Sequence, residues 1–511
     1  MGCVEPTLVG VRYDTVSVHS ETLCTASRAK VDILIVVDGS ASMAQEAEVL
    51  QDELRAIAGI YDGPRSGIDY RIAVIDSQVA QPGCDVTVEA GGRFVDTSCR
   101  QRLDAFVSNP SIEGDAANLR DTACRDACTL DELQTLPSPI AVDDSLRPRP
   151  WVEATFGIGN LPSGRSLADD LMCRVPVGIA GCPFEAPLEA MRLALARSDD
   201  PHDPAFGFLR DDAALFVMFI GDEPDCSFGE DVDAIARLFD PEGPRTYWSD
   251  PDAEAPTSGL CWNAGVACSD GVQGRECVAV DRAAPDSSSP VLRPVEDYVT
   301  LLQDIEASRR RVLPGLERAV FVSVLGGVPE RGGPPRYPEA LDPADIARFG
   351  TGPGCESSSG RAHPPVRLAR LATEFAELAA WGETSLFPVC ADSWFLALAC
   401  VPGWDPFGST QTCLDLPFAD AVPETDELEL DCAVDWTDPQ GQRHPLSPCE
   451  MLGEVPRPEA GQPLCAHVQP PDPSRPGCEP TAGRLTFAFA EGVPRGCFHV
   501  DCEVETRTPG G

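Results

Sequence analysis

Short apolar runs alternate with amphipathic segments over the first four fifths of the chain. The apolar runs occupy residues 32–37, 70–75, 215–220, 319–325 and 385–389. Apolar side chains recur at helical spacing in residues 45–61, 187–197, 231–239, 295–308 and 366–380. Strands that alternate with helices build a parallel sheet whose two faces are covered by helices. The pattern therefore predicts an α/β fold with a doubly wound, mostly parallel sheet.

Three segments interrupt this alternation and show no periodicity. They cover about residues 81–167, 240–289 and 326–365 and are rich in Pro and Gly, with Cys in each. Because they are too long for ordinary connections, we interpret them as insertions that disulfides crosslink. We expect residues 29–400 to form one sheet domain with these insertions, after a polar lead of residues 1–28.

The character of the chain changes after residue 400. Helical periodicity ends, and alternating stretches at residues 485–490 (LTFAFA) and 497–504 (CFHVDCEV) have the pattern of half-buried strands. Cysteines are frequent throughout this part of the chain. We expect residues 401–511 to form a small cysteine-rich, β-containing module whose core is too small to stand without crosslinks.

The charge of the chain restricts its partners. The 82 acidic residues outnumber the 39 basic residues, which gives a formal net charge of −43. Such a surface repels nucleic-acid phosphates and anionic lipids, so we do not expect nucleic acid as a partner. No apolar run reaches the ~18 residues of a membrane span. Cationic partners and divalent metal ions fit this charge better.

Cysteine usage indicates the compartment. The chain has 22 cysteines but six histidines, and the nearest cysteine pairs are Cys124 with Cys128 and Cys497 with Cys502. The paired CxxC elements of zinc sites are absent, so disulfides are the better interpretation. Disulfides require an oxidising compartment, which predicts an extracytoplasmic protein of the cell envelope, either lipid-anchored or secreted.

The first residues bear on how the protein is exported. The chain begins MGCVE, without the basic segment or apolar core of a signal peptide. The pair Gly2-Cys3 resembles the last two residues of a bacterial lipoprotein cleavage box, in which the cysteine becomes the lipidated N-terminus. We therefore expect the true start to lie upstream and Cys3 to carry a lipid, which would be the only link to a membrane.

The first apolar run ends in an acid and two hydroxyls. Asp38 follows the run directly, and Ser40 and Ser42 come at alternate positions. Ligands of open α/β sheets bind at the carboxyl ends of the strands. A carboxylate and hydroxyls in a tight turn offer the hard oxygen ligands that Mg²⁺, Mn²⁺ or Ca²⁺ accept together with water. The motif predicts a metal site at this rim, and the alternative is that the serines cap the following helix.

This arrangement resembles the DxSxS motif of von Willebrand factor type A domains, whose metal-ion-dependent adhesion site lies on a doubly wound sheet. In that family a later strand supplies an aspartate, and the resemblance assigns this role to Asp222, which follows the run at residues 215–220. The family also uses a threonine from a second loop. The matching segment here has Ile179 or Ala180, neither of which offers a side-chain oxygen. The chain also resembles a group of secreted bacterial proteins that carry this domain and are often lipoproteins.

No enzyme motif accompanies these features. GxSxG, HExxH and phosphate-binding glycine loops are absent from the sequence, so we expect a non-enzymatic protein. The resemblance implies an adhesion or protein-interaction module. It would hold a divalent ion, and an acidic side chain of an unknown partner protein would bind to that ion. A metal-independent scaffold protein and an accessory subunit of an exported assembly are the alternatives. The expected metal ligands are Asp38, Ser40, Ser42 and Asp222.

Overall fold

A computed structural model describes most of the chain between residues 16 and 505. The described residues are 16–25, 30–61, 69–108, 117–155, 158–271, 274–312, 318–330, 332–338, 341–376, 385–391, 394, 409–414, 432–437, 442–452, 455–459, 462, 464–469, 483–489 and 496–505. The chain divides into two compact units. One is Ala29–Trp404, and the other combines Met1–Arg28 with Asp405–Gly511.

The larger unit is built on one mostly parallel sheet, in which the described residues form seven strands. They are β1 (Lys30–Val37), β2 (Asp69–Asp76), β3 (Val152–Thr155), β4 (Ile158–Gly159), β5 (Ala214–Ile220), β6 (Val320–Gly326) and β7 (Leu386–Pro388). Their order across the sheet is β7-β6-β5-β1-β2-β3-β4. The first five in this order pair in parallel, whereas β3 and β4 are antiparallel additions at one edge. The predicted mixed α/β architecture with a mostly parallel sheet is confirmed.

Helices pack on both faces of this sheet. The α-helices of the described residues are α1 (Glu46–Tyr61), α2 (Leu167–Arg174), α3 (Pro187–Asp199), α4 (Val232–Ala236), α5 (Gly259–Gly265), α6 (Val295–Val312), α7 (Pro343–Phe349) and α8 (Val366–Glu374). Alternate residues of β1 enter two different cores. Ile33 and Ile35 pack in the cluster that contains Leu50 of α1, whereas Leu34 packs in the cluster that contains Leu188 of α3. Burial of each such side chain stabilises the fold by about 1.5–3 kcal/mol, which explains why the strand is apolar throughout.

The segment predicted as the first insertion also contributes to the sheet. Its strands β3 and β4 extend the edge beyond β2, with Tyr70 paired to Ala154. The sequence pattern does not reveal β3, because its four residues (VEAT) include a charged side chain that pairs with Arg71. Helix α2 begins where Ser166 and Asp169 form a capping box. Three disulfides crosslink this region, namely Cys84–Cys182, Cys99–Cys124 and Cys128–Cys173.

The other two insertions have short elements of their own. The second contains α5 and the hairpin of Val266–Gly271 with Gly274–Ala279, and the third contains α7 and the hairpin of Cys355–Ser357 with Gly360–Ala362. Both are crosslinked as expected from their composition. The disulfides are Cys226–Cys261, Cys268–Cys277 and Cys355–Cys390.

The smaller unit consists of β-structure in the residues described. Its longest strands, Val16–Thr25 and Gly496–Glu505, pair antiparallel along ten residues. The chain's lead, which the sequence sets apart, therefore supplies a strand to the same sheet as the C-terminal segment. The remaining strands are Ser409–Leu414, Cys432–Thr437, Arg443–Pro445, Glu450–Leu452, Val455–Arg457, Leu464–Gln469 and Gly483–Phe489. Disulfides Cys432–Cys502 and Cys449–Cys465 crosslink this unit.

Disulfides occur in both units of the described structure. Such crosslinks persist in oxidising compartments and are rare in the cytosol, so their number indicates an extracellular protein. Within the described ranges, none of the helices combines the length and the apolar character that crossing a membrane requires.

Candidate metal site at the sheet rim

The carboxyl ends of β1 and β5 bring the predicted ligands together. The backbone N–H of Asp38 donates to the carbonyl of Ile220 at 2.8 Å, so that the two strands end at the same level. The N–H of Ser40 donates to Oδ1 of Asp38 at 2.8 Å and closes the turn. The Ser42 hydroxyl lies 2.8 Å from the Ser40 hydroxyl and 3.1 Å from Oδ1 of Asp222. All four residues therefore belong to one group.

Ser40 does not act as a simple helix cap in this turn. Ser40 precedes the 3₁₀ turn Ala41–Ala44, and its side chain makes no capping hydrogen bond. Its hydroxyl is fully buried and faces the Ser42 hydroxyl instead. Because a buried hydroxyl needs a polar partner, the contact with Ser42 satisfies the Ser40 hydroxyl without a helix cap.

Four further carboxylates surround the predicted ligands. Glu223 Oε1 is 2.9 Å from the Ser42 hydroxyl, and Glu46 Oε1 accepts from the Arg361 N–H at 3.0 Å. Glu185 accepts from the hydroxyl of Ser77, which follows β2. We call the six acidic residues of this region the rim cluster. Its members are Asp38, Glu46, Asp76, Glu185, Asp222 and Glu223.

Asp76 lies on the other side of the Asp38 turn. A Cβ added at Gly39 would stand 3.2 Å from each carboxylate oxygen of Asp76. Similarly, a Cβ at Gly221 would stand 3.0 Å from Oδ2 of Asp38. Glycine at these two positions therefore allows the carboxylates and the backbone to approach closely.

Burial controls the ionisation of the rim cluster. Burial raises the pKa of Asp38 to about 6 and that of Asp76 to about 6, and the negative charge of Asp38 adds to the rise at Asp76. Burial and then the charge of Asp38 raise the pKa of Glu46 to about 8. The pKa values of Glu185 and Asp222 are raised well above their usual range for the same two reasons. Without a cation, the cluster therefore holds protons at neutral pH.

The donor set fits a hard divalent cation. All of the groups are oxygens, and Oε2 of Glu46 and Oε1 of Glu185 are buried without a hydrogen-bond partner. Away from the rim, the side chains of Cys99, Cys124 and Cys128 bring three atoms of metal-ligating type within 4.8 Å of one another. Those sulfurs are in disulfides and offer no thiolate. Among the described residues, no three carboxylates of the rim cluster come that close together, so an ion at the rim would need the serine hydroxyls as well as the carboxylates.

The second loop reaches the site through its backbone. The N–H of Gly181 donates to the carbonyl of Gly39 at 2.9 Å. Ile179 is fully buried and its N–H donates to Ala105, while Ala180 is exposed and donates to the same carbonyl. The loop supplies the Glu185 carboxylate to the region, where the family resemblance expects a threonine hydroxyl.

Hydrogen bonds from three directions hold the loop after β5. The Cys226 N–H donates to the Glu185 carbonyl at 2.7 Å, and the His363 N–H donates to the Asp222 carbonyl at 2.7 Å. Asp225 pairs with Arg367 at 2.9 Å, and both side chains are buried. These contacts fix the segment that carries Asp222, because each satisfies a polar group away from water.

Sequence reasoning missed the four additional members of the rim cluster. Asp76 directly follows the second apolar run, just as Asp38 follows the first, so this position is a signal for it in the sequence. Glu46 lies four residues after Ser42, on the next turn of the chain, but nothing in the pattern indicates that it is buried. Glu185 lies in the loop before α3 and Glu223 directly follows Asp222, and no spacing pattern distinguishes either from the many solvated acids of the chain.

Comparisons with known proteins do not assign a family. No protein-family model matches the chain, and no curated protein matches it. The chain is similar to the pilus adhesin RrgA from Streptococcus pneumoniae, with 9% identity, 96% of this chain covered and a TM-score of 0.23. It spans 59% of the length of that structure. The adhesive tip pilin GBS104 from Group B Streptococcus agalactiae gives 9% identity, 98% and 85% coverage of the two chains, and a TM-score of 0.24. Likenesses this weak carry no argument about fold or function.

Proposed function

We propose that the chain is a non-enzymatic, extracellular protein-interaction or adhesion module whose rim cluster binds a divalent cation. The observation that carries this proposal is the position of the Ser42 hydroxyl, which contacts Ser40 of the first loop and Asp222 of the loop after β5. The resemblance to von Willebrand factor type A domains supports the same assignment of ligands. A partner protein would bind at the rim and complete the surroundings of the ion.

The charges and dipoles of the site suit this role. Asp38 and Asp222 together carry the two negative charges that a divalent ion needs, and Ser40 and Ser42 add neutral oxygens. Mg²⁺ requires about six oxygens in octahedral geometry, whereas Ca²⁺ takes about six to eight with more freedom. The additional carboxylate of Glu223 gives the site more oxygens than the four predicted residues alone.

The burial of the site favours a second candidate function. Asp38 is 6% exposed and Asp222 is 1% exposed, so that the carboxylates are almost sealed from solvent. A protonated cluster would be stable in such surroundings without any metal. In that case the chain would be a metal-independent structural protein, in which the acidic residues only hold the loops together.

Calorimetry separates these two functions. Oxidised protein would be titrated with MgCl₂, MnCl₂ and CaCl₂, together with Asp38→Ala, Asp222→Ala and the control Asp131→Ala. Asp131 is an exposed residue of the first insertion, so its variant should bind like the wild type. We expect one ion per chain in the wild type and none in the two site variants, with circular dichroism unchanged. Equal binding in wild type and Asp38→Ala, or no binding in any protein, would establish the structural function instead.

We also propose that the chain is anchored to the membrane through a lipid on Cys3, which lies outside the described residues. The mature protein should then begin at Cys3, carry the mass of the lipid and partition into detergent. A Cys3→Ser variant should remain in the aqueous phase. Recovery of aqueous protein that retains Met1 from the native compartment would contradict this assignment.

A further inference from the structure

We infer that the disulfide Cys84–Cys182 regulates the metal site at the rim, which binds its ion tightly while this disulfide is intact and weakly once a dithiol has reduced it. The inference rests on the proposed function, because it concerns the metal affinity of that same site. It gives Gln78 the role of a positioning residue, which carries the effect of the disulfide to the Asp38 turn.

The disulfide joins two loops at the rim. One is the loop after β2, residues 77–84, and the other is the second loop, residues 177–185. Between the same two loops, Nε2 of Gln81 donates to the Phe184 carbonyl at 2.6 Å. The bonded cysteines are 98 residues apart in the chain, so the disulfide crosslinks segments that the sequence itself does not hold together. The position of the second loop therefore depends on the loop after β2.

The second loop contacts the turn that carries Asp38 and Ser40. The N–H of Gly181 donates to the Gly39 carbonyl at 2.9 Å, and Gly39 lies between those two predicted ligands in the chain. Cys182 directly follows Gly181, so the disulfide is one residue away from this hydrogen bond. A displacement of the second loop would therefore move the backbone that orients both ligands, and such supporting contacts strengthen metal binding.

The side-chain amide of Gln78 connects the disulfide to the same turn. Its Oε1 accepts from the Cys182 N–H at 3.1 Å, while its Nε2 donates to Oδ2 of Asp76 at 3.0 Å. An amide both donates and accepts, which a carboxylate, an ammonium or a thioether does not do. The Nε2 atom also lies close to the turn, since a Cβ added at Gly39 would stand 3.1 Å from it and a Cβ added at Gly181 2.7 Å from it. The amide is therefore packed between the second loop and the turn.

The exposure of this disulfide allows a reductant to reach it. Thiol–disulfide exchange requires that a thiolate contact one of the two sulfurs. Cys84 and Cys182 are both half-buried, whereas four other described disulfides of the larger unit each include at least one buried cysteine. The disulfide Cys268–Cys277 is also half-buried at both ends, but it joins residues 9 apart within one hairpin. That disulfide is therefore a matched control.

The dithiol supplies everything that the reduction needs. One of its thiolates attacks a sulfur of Cys84–Cys182 and forms a mixed disulfide, which the second thiolate of the dithiol then resolves. The S–S bond of the protein breaks, the S–S bond of the oxidised reductant forms, and two electrons pass to the protein. The two protons of the dithiol end on the cysteine thiols. The two loops then contact each other through hydrogen bonds, such as those of Gln78 and Gln81, without this crosslink.

Mn²⁺ binding to the full-length oxidised protein tests this inference. Electron paramagnetic resonance would measure the dissociation constant for Mn²⁺ in the wild type, in Cys84→Ser/Cys182→Ser and in the control Cys268→Ser/Cys277→Ser. We expect the first pair of substitutions to weaken Mn²⁺ binding about tenfold, because it releases a support of the ligands. The control pair should bind like the wild type. Equal affinity of Cys84→Ser/Cys182→Ser and the wild type, or equal losses in both double variants, would overturn the inference.

Reduction of the same three proteins shows whether the effect is a redox effect. Each protein would be equilibrated with dithiothreitol, separated from it under argon and titrated again with Mn²⁺. Reduction should weaken binding in the wild type and in the control, and reoxidation should restore it, whereas Cys84→Ser/Cys182→Ser should lose no further affinity. A loss in that variant as large as in the wild type would overturn the inference, because another disulfide would then be responsible.

Two glutamine variants test the positioning role and keep every disulfide, so they decide the question even if the cysteine variants do not fold. Gln78→Met removes the hydrogen bonds to Cys182 and Asp76, whereas Gln81→Met removes a hydrogen bond between the same loops. We expect Gln78→Met to weaken Mn²⁺ binding about tenfold, while the melting temperatures of the two metal-free variants are alike. Gln81→Met should bind like the wild type. Equal Mn²⁺ affinity of the two variants would overturn the inference, whereas an oxidised wild type that binds no Mn²⁺ would reject the proposed function itself.

Discussion

The Ser42 hydroxyl lies 3.1 Å from Oδ1 of Asp222, although 180 residues separate the two in the chain. The same oxygen lies 2.9 Å from Oε1 of Glu223 and 2.8 Å from the Ser40 hydroxyl. A hydroxyl has one proton to donate, so it cannot serve both carboxylates. The hydroxyl can therefore donate to only one of the two carboxylates at a time.

The raised pKa values of the rim cluster predict how pH affects the metal-free protein. Glu46 has a pKa of about 8 in the folded state against 4.5 as a reference, so at intermediate pH the folded state holds a proton that the unfolded state releases. The free energy of unfolding should therefore fall as pH rises from about 4.5 to about 8. Asp38 and Asp76 should add to this loss between 3.8 and about 6. Thermal unfolding in EDTA at several pH values measures the effect.

Two controls accompany that measurement. Glu46→Gln should flatten the pH dependence, because a neutral amide cannot release a proton. Addition of Mg²⁺, Mn²⁺ or Ca²⁺ at about pH 8 should restore the melting temperature of the wild type if the cluster binds the ion. A melting temperature that rises with pH in EDTA would show that the cluster is ionised without metal.

Gly181→Ala should separate the second loop from the Asp38 turn. A Cβ at this position would lie 2.5 Å from the Gly39 carbonyl oxygen and 2.7 Å from Nε2 of Gln78, so the backbone must move. We expect a loss of about 1–3 kcal/mol in the free energy of unfolding and weaker metal binding. Gly164→Ala is the steric control, because no atom lies within 4 Å of its added Cβ, although its positive φ of 83° adds some strain. Equal metal affinity in both variants would contradict a role of this contact in the site.

Arg367→Met should destabilise the larger unit strongly. It would leave the buried Asp225 carboxylate without the guanidinium that lies 2.9 Å away, and such losses cost about 3–5 kcal/mol. Arg125→Met is the matched control, because the ion pair of Arg125 with Asp121 is exposed. Such a pair contributes at most about 1 kcal/mol to the free energy of unfolding. Urea unfolding compares the two variants. Similar midpoints would show that the buried pair does not hold the loop after β5.

Reduction should unfold the smaller unit before the sheet of the larger one. The described core of the smaller unit is small and includes Val434, Leu464 and Val500, whereas two extensive clusters cover the faces of the larger sheet. Hydrogen exchange during titration with dithiothreitol should therefore show loss of protection in Gly496–Glu505 before β1 and β5. Earlier loss in β1 would contradict this order, as would predominantly free thiols in protein isolated from its native compartment.

The sequence by itself determined the central strands and the helices that cover them. A strand such as β1 is buried on both faces and must be apolar throughout, and this property is visible in any single chain. The same logic located Asp38, because a strand of a parallel sheet ends at the ligand-binding edge. Ser40, Ser42 and Asp222 followed from the resemblance of the motif, and the structure brings them together.

Only the tertiary structure decided which other acids join them. The chain has 82 acidic residues. Because most acidic residues are solvated, the sequence does not distinguish the few that packing removes from water. Burial of Glu46, Glu185 and Glu223 depends on contacts with loops far away in sequence, such as that between Arg361 and Glu46. The pairing of Val16–Thr25 with Gly496–Glu505 and the choice of disulfide partners are equally non-local. The sequence pattern indicates which apolar side chains can be buried. Which polar side chains are buried depends on how distant segments of the chain pack together.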